Sequence, residues 1–219
     1  MKKLARLAGL LSLAIFALGL MASSSASAIG YLLLPVGGTI LGTGLAGILA
    51  GGGSEIACSS DTFTAEVATV HLVGPFVVKF AGCSSSSDKG VVKCTAKSTG
   101  AAEGEIATTT LHALIGLALP SNTPALLVLP VSGTKFVTVA SNKCTITTTA
   151  SGNVVGLLLQ KVGGGTTTKA NLDFVPGDPT KITLPLGGTV VSEIEAFGAL
   201  ATFETQQHLL YDTPGELMP

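Results

Sequence analysis

The sequence predicts an all-β protein, an antiparallel β-sandwich or barrel-like fold stapled by disulfides. Three observations carry that expectation. Short runs of Val, Ile, Thr and Phe alternate with period two and are cut by Gly, Pro, Asn and Ser. No long segment holds the 3.6-residue periodicity of an amphipathic helix. Four cysteines, an even number, follow a leader of the export type.

The leader comes first in the chain. Lys2, Lys3 and Arg6 give it a basic start, an apolar run extends from Leu7 to Met21, and Ala26-Ser27-Ala28 closes it with small residues. These are the parts of a secretory signal peptide, with cleavage expected after Ala28. The apolar run falls short of the roughly 20 residues a spanning helix needs, so no membrane span is expected after cleavage. Residues 1–28 are therefore assigned to the signal peptide, 29–53 to a Gly-rich apolar entry segment whose Gly37 to Gly53 zone reads as an irregular strand pair or a flexible lead-in, and 54–219 to a single β domain. The expected location is secreted/extracellular or cell-wall associated.

Removing 28 of 219 residues leaves 191, with 9 Lys+Arg against 13 Asp+Glu and a net charge of −4. Arg6 is the only arginine, and there is no tryptophan. Tracking phosphates needs a clustered basic face, and base stacking needs aromatic platforms, so a nucleic-acid partner is not expected. Charged residues make up 11% of the chain, against about 25% in ordinary soluble proteins. With 47% hydrophobic residues the chain is not disordered by composition, and its surface must be covered largely by Ser, Thr and Gly.

The strand candidates follow in order. In 62-TFTAEVATVHLV-73, Phe63, Ala65 and Val67 share one face and Thr64 and Glu66 the other. The stretch 76-FVVKFAGC-83 and its return 91-VVKCTA-96 flank the polar residues Ser84 to Gly90, which have turn composition. In 104-GEIATTTLHALIGLALP-120 the odd positions Ala107, Leu111, Ala113, Ile115, Leu117 and Leu119 are apolar, while Thr108, Thr110 and His112 fall on the other face. Further strands are expected over 125–131, 135–140, 144–150, 153–160, 166–174, 189–197 and 199–210. Gly74-Pro75, Pro130 to Gly133, Gly163 to Gly165 and 176-PGDP-179 read as turns, with a soft boundary near 174–181.

Cys58, Cys83, Cys94 and Cys144 are too widely spaced for the close ligand pairs of a zinc site, and His71, His112 and His208 stand apart. In an exported chain four cysteines imply two disulfides, with three pairings open. The favoured pairing is Cys83–Cys94 across the base of a hairpin, with Cys58–Cys144 closing a longer loop.

Chemical motifs are sparse. Gly42-Thr-Gly44-Leu-Ala-Gly47 matches a dinucleotide fingerprint, but that fingerprint requires a following helix and only Ile48 to Ala50 separate it from three more glycines. No GxSxG elbow is present. His208 with Asp212, or the pair Glu193 and Glu195, could be assembled into a hydrolase. Glu103 and Glu105 are a second carboxylate pair that would share a strand face and could hold calcium weakly. Each reads better as solvated strand polarity. No cofactor and no metal are expected.

The stretches 79-KFAGC-83, 93-KCTAKSTGAAEGEIATTTL-111 and 143-KCTITTTASGNVVG-156 resemble a group of secreted actinobacterial all-β proteins of unknown function with a four-cysteine framework. The resemblance covers roughly residues 55–174. It implies export, β structure and the cysteine framework, and supplies no site residues. The functional expectation is a structural or binding role, not an enzyme, with a cell-wall or extracellular polymer or further copies of the chain as partner. The alternatives are a secreted hydrolase and a barrel that holds a small apolar ligand.

Overall fold

Period-two alternation governs the chain from Thr39 onward, and the structure shows each run to be part of a longer stave. The computed structural model describes residues 32–33, 35–87, 93–142, 144, 146–159, 167–174, 180–185 and 187–217. β1 (Leu32–Leu33), β2 (Thr39–Gly44) and β3 (Gly47–Gly51) lead into β4 (Ser54–Cys58) and β5 (Ser60–Thr69). β6 (Leu72–Phe76), β7 (Lys79–Ala81) and β8 (Ser84–Ser87) run back beside them. β9 (Cys94–Ser98), β10 (Ile106–Ala107) and β11 (Leu111–Leu119) form the next stave, then β12 (Thr123–Pro130) with β13 (Lys135–Ser141), and β14 (Thr147–Gly152) with β15 (Val154–Leu159). β16 (Thr167–Phe174), the short pair β17 (Lys181–Thr183) and β18 (Thr189–Val191), β19 (Ile194–Ala196) and β20 (Ala199–Leu217) follow.

Two rings of antiparallel pairing close on themselves. The first runs β2–β5–β6–β11–β12–β15–β16–β20 and returns to β2. The second runs β3–β4–β8–β9–β13–β14–β19–β20 and returns to β3. Each stave supplies a segment to both rings, and β20 belongs to both without a break. The architecture is therefore a closed, up-and-down, eight-stave antiparallel barrel. The barrel alternative of the sequence prediction holds, and the sandwich does not.

Closure sorts side chains into inside and outside with period two. Along β5, Asp61, Phe63, Ala65 and Val67 are buried while Thr62, Thr64 and Glu66 are exposed. Along β11, Leu111, Ala113, Ile115 and Leu117 point in, which is the apolar face that the alternation marked. Leu111, Ile115, Leu172, Leu209, Val67 and Val73 are all but sealed from solvent. A side chain of this kind contributes about 1.5–3 kcal/mol when fully buried. Phe203 meets Phe174 and Phe80 edge-on at 5.3 and 6.3 Å between ring centroids, and Phe63 lies 5.0 Å from Phe76.

Outside, the wall made by β11, β12 and β15 breaks the alternation, because Ala118, Ala125, Leu127 and Val155 are buried too. The hairpin β17–β18 extends from the edge of β11 and seats the fully buried Ile182 against them. Gly116 makes this possible, since a Cβ there would collide with Thr183 and Ile182.

Several expectations need correction. The lead-in 29–53 is not separate from the β domain, because β2 and β3 are barrel segments that close both rings. Gly74-Pro75 lies inside β6 rather than at a turn. The predicted strand over 189–197 divides into β18 and β19. Ser84–Ser87 is a strand, not a turn: it pairs with β4 on one side and β9 on the other. The signal peptide, the Gly163–Gly165 turn and 176–179 lie outside the described residues.

The serine strand also overturns the expected disulfide pairing. The bridges are Cys58–Cys83 and Cys94–Cys144. The register pairs Ala57 with Ser84, which brings the next residues outward, Cys58 and Cys83, together. Cys94 sits opposite Ser85 rather than Cys83. It reaches instead toward the segment after β13, whose Ser141 pairs with Ala96. Non-reducing peptide mapping is expected to yield linked peptides for 58–83 and 94–144 and none for 83–94. Each bridge should contribute about 3–4 kcal/mol by loop-closure entropy, so reduction should lower the denaturation midpoint sharply.

Candidate functional site

An interior built by eight staves is just wide enough to be filled by side chains or to hold one small molecule. Here the filling is incomplete. A cavity of about 100 Å³ lies inside the barrel, with Leu49, Ile56, Val128, Phe136, Leu158 and Phe203 among its lining side chains. The polar side chains on its wall are Thr108, Gln207 and Tyr211. Thr108 is partly engaged, its Oγ1 accepting the Val78 N–H at 3.0 Å. Burial pushes the Tyr211 hydroxyl well above its ordinary value, so it stays a neutral phenol.

Behind Gln207 lies a buried polar cluster. Asp61 is 1% exposed and faces inward from β5. Its Oδ1 accepts from Gln207 Nε2 at 2.8 Å, and its Oδ2 accepts from Thr205 Oγ1 at 3.2 Å. Thr205 and Gln207 are themselves buried, at 3% each, and share the inward face of β20 with Leu209 and Tyr211. Neither donor carries a charge. Burial raises the Asp61 carboxyl to about 6, and the two hydrogen bonds only partly offset this.

The glycines of the lead-in explain how Asp61 fits. Gly42 pairs with Phe63 and Gly44 with Asp61 across β2–β5. A Cβ at Gly42 would occupy the place of the Phe63 ring, and one at Gly44 the place of the Asp61 carboxylate. The GxGxxG pattern thus has a packing origin. Two of its glycines let inward side chains lie flat against the β2 backbone.

The other candidate groups sit elsewhere. His208 and Asn171 are cross-strand partners on the outer wall, with His208 Nδ1 2.9 Å from Asn171 Oδ1. Asp173 Oδ1 accepts from Gln206 Nε2 at 3.0 Å in the same ladder. Asp212 Oδ1 accepts the Thr39 N–H at 2.8 Å. Glu193 and Glu195 are exposed, and so is Glu105. Glu103 and Glu105 do not share a strand face: they fall in the connection between β9 and β10, where Glu103 pairs with Lys97 at 2.6 Å. His112 is partly buried, which lowers its pKa from the ordinary value. Among the described residues no three His, Cys, Asp or Glu side chains converge as metal ligands.

Asp61, Thr205 and Gln207 were not among the candidates drawn from the sequence. The signal was present in the parity of β5, where Asp61 falls on the face of Phe63, Ala65 and Val67. The alternating run 62–73 begins one residue after it.

No protein-family model, no curated protein and no solved structure matches this chain. The class that fold and site define is a closed eight-stave antiparallel barrel with an apolar interior cavity and an internal carboxyl cluster.

The cluster makes a stability prediction. The folded-state pKa of Asp61, about 6, lies above its ordinary value of 3.8, so folding favours the protonated form. Stability from this group is fully present below about pH 4 and is lost as pH rises through about 6. In Asp61→Asn the new amide oxygen still accepts from Gln207, and its nitrogen donates to the Thr205 hydroxyl. This variant should be more stable than the parent by about 2–3 kcal/mol at pH 7 and should lack the fall between pH 4 and 6. Urea denaturation at pH 4 and pH 7 measures both.

Proposed function

We infer that this chain is a non-catalytic binding protein that acts outside the cytosol and takes a small apolar molecule into its barrel. One observation carries the reading: a closed barrel whose apolar side chains leave a cavity of about 100 Å³ unfilled. Interiors of folded proteins pack to the density of organic crystals, and a void of this size forgoes dispersion contacts on all sides. An engineered cavity of roughly 150 Å³, lined by similar residues, stays dry and takes up benzene or xenon. The export half of the reading rests on the leader 1–28 and on two disulfides, which persist in oxidising compartments.

The alternative of a hydrolase draws less support. His208, Glu193 and Glu195 lie on the outside of the barrel, whereas the cavity is inside.

The reading is tested with xenon and benzene as probes. Methyl resonances of Leu49, Val128 and Leu158 should shift saturably as either is added, and melting should move upward by mass action. Ala113→Leu and Ala150→Leu place bulk on the cavity wall and should abolish the shifts while the folded spectrum persists. Absence of any saturable shift in the parent protein would refute the reading.

A further inference from the structure

We propose that the ligand of this barrel is a small apolar molecule bearing one hydroxyl group, and that Gln207 is the residue that recognises the hydroxyl. The inference deepens the binding function proposed above and rests on it. Its basis is the position of Gln207 between two environments: its side chain lines the apolar cavity, and its Nε2 is fixed by Asp61 at 2.8 Å.

A primary amide has two N–H donors and a carbonyl oxygen with two acceptor sites. One N–H of Gln207 is committed to Asp61. Asp61 in its carboxylate form only accepts, so the nitrogen end of the amide must face it and the carbonyl end is held away. Gln207 is left with acceptor capacity and one further N–H. A hydroxyl, which donates one hydrogen and accepts another, matches that pair. The remainder of the wall is apolar apart from Thr108 and Tyr211, so the body of the ligand must be apolar as well.

The surroundings are built to hold this amide still. Thr205 satisfies the second oxygen of Asp61, and Gly44 leaves the space the carboxylate occupies. A buried carboxylate without a charged hydrogen-bond partner here costs stability, and Leu or Met at the three positions would fill the interior without that cost. Asp61 does not line the cavity and acts through Gln207, as a positioning residue.

Phenol and benzene are the matched probes, alike except for the hydroxyl. A hydroxyl taken into an apolar cavity without a partner is strongly disfavoured, whereas a paired one is not. The quantity to measure is the ratio of phenol to benzene affinity, by calorimetry or by methyl shifts. In the parent protein phenol should bind at least as tightly as benzene. In Gln207→Leu the ratio should fall about tenfold or more with benzene affinity retained. The double variant Asp61→Asn/Gln207→Leu removes the buried charge and supplies the same comparison if Gln207→Leu does not fold. Asp61→Leu, which releases the amide, should lower the ratio, and Asp61→Asn, which keeps the hydrogen bond to Gln207, should restore it.

If benzene binds and the ratio is unchanged by these substitutions, the hydroxyl assignment is wrong while the cavity reading stands. If neither probe binds the parent protein, the binding function fails and takes the assignment with it.

Discussion

An antiparallel sheet that closes on itself leaves no edge strand, and in this chain everything else follows from where closure occurs. Backbone N–H and C=O groups at an open edge invite pairing with other chains, and natural sheets usually blunt such edges with charge or bulges. A chain with only 11% charged residues has little charge to spare for that purpose. It closes the sheet through β20, which pairs with β2 along one half and β3 along the other. The Gly-rich segment 37–53 and the C-terminal stave are therefore one interlocked seam, although some 150 residues separate them in sequence. Closure also allows the outer wall to be Thr-rich and nearly neutral without an open edge in either ring.

Closure fixes a second condition, that the interior be filled by side chains from eight staves at once. Phenylalanines from β5, β6, β16 and β20 pack against one another among the aliphatic side chains, and glycines such as Gly42 and Gly156 on facing strands make room for them. The match is imperfect near the junction of the two rings, and the cavity is the remainder. Asp61, Thr205 and Gln207 also cluster inside, because Thr205 and Gln207 lie where β20 passes from β3 to β2 as its neighbour.

Much of this was legible in the sequence, and what was not has definite causes. Strand parity was readable wherever one side of the wall meets solvent, as in β5 and β11. It was unreadable where both sides are covered, as at Ala125 and Leu127 beneath the β17–β18 hairpin, since period two disappears under two-sided burial. The serine run 84–87 has turn composition, yet tertiary pairing on both flanks makes it a strand. The disulfides follow from it, because a strand that continues through Ser87 places Ser85, not Cys83, opposite Cys94. The internal cluster was hidden differently. Gln206, Gln207 and His208 look alike as polar residues of 204-ETQQHLLYD-212, and only strand parity separates the inward Gln207 from its outward neighbours.

The two rings are held by different means. The first contains the longest ladders, β11–β12 and β16–β20, and an outer hairpin packed against its wall, while the main apolar core draws on both rings. The second is assembled from shorter segments, and its β8–β9 seam carries only the pairs Ser84–Thr95 and Ser85–Cys94 among the described residues. Both disulfides flank that seam: Cys83 immediately precedes β8 and Cys94 begins β9. A cross-link constrains the unfolded chain regardless of how little surface the neighbouring strands bury. The covalent bonds therefore reinforce a short seam of the second ring, where the Cys58–Cys83 bridge is itself packed with Ile56, Ala96, Ile106 and Val139. The cavity meanwhile takes its lining from both rings, Leu49, Ile56 and Phe136 from the second and Val128 and Leu158 from the first.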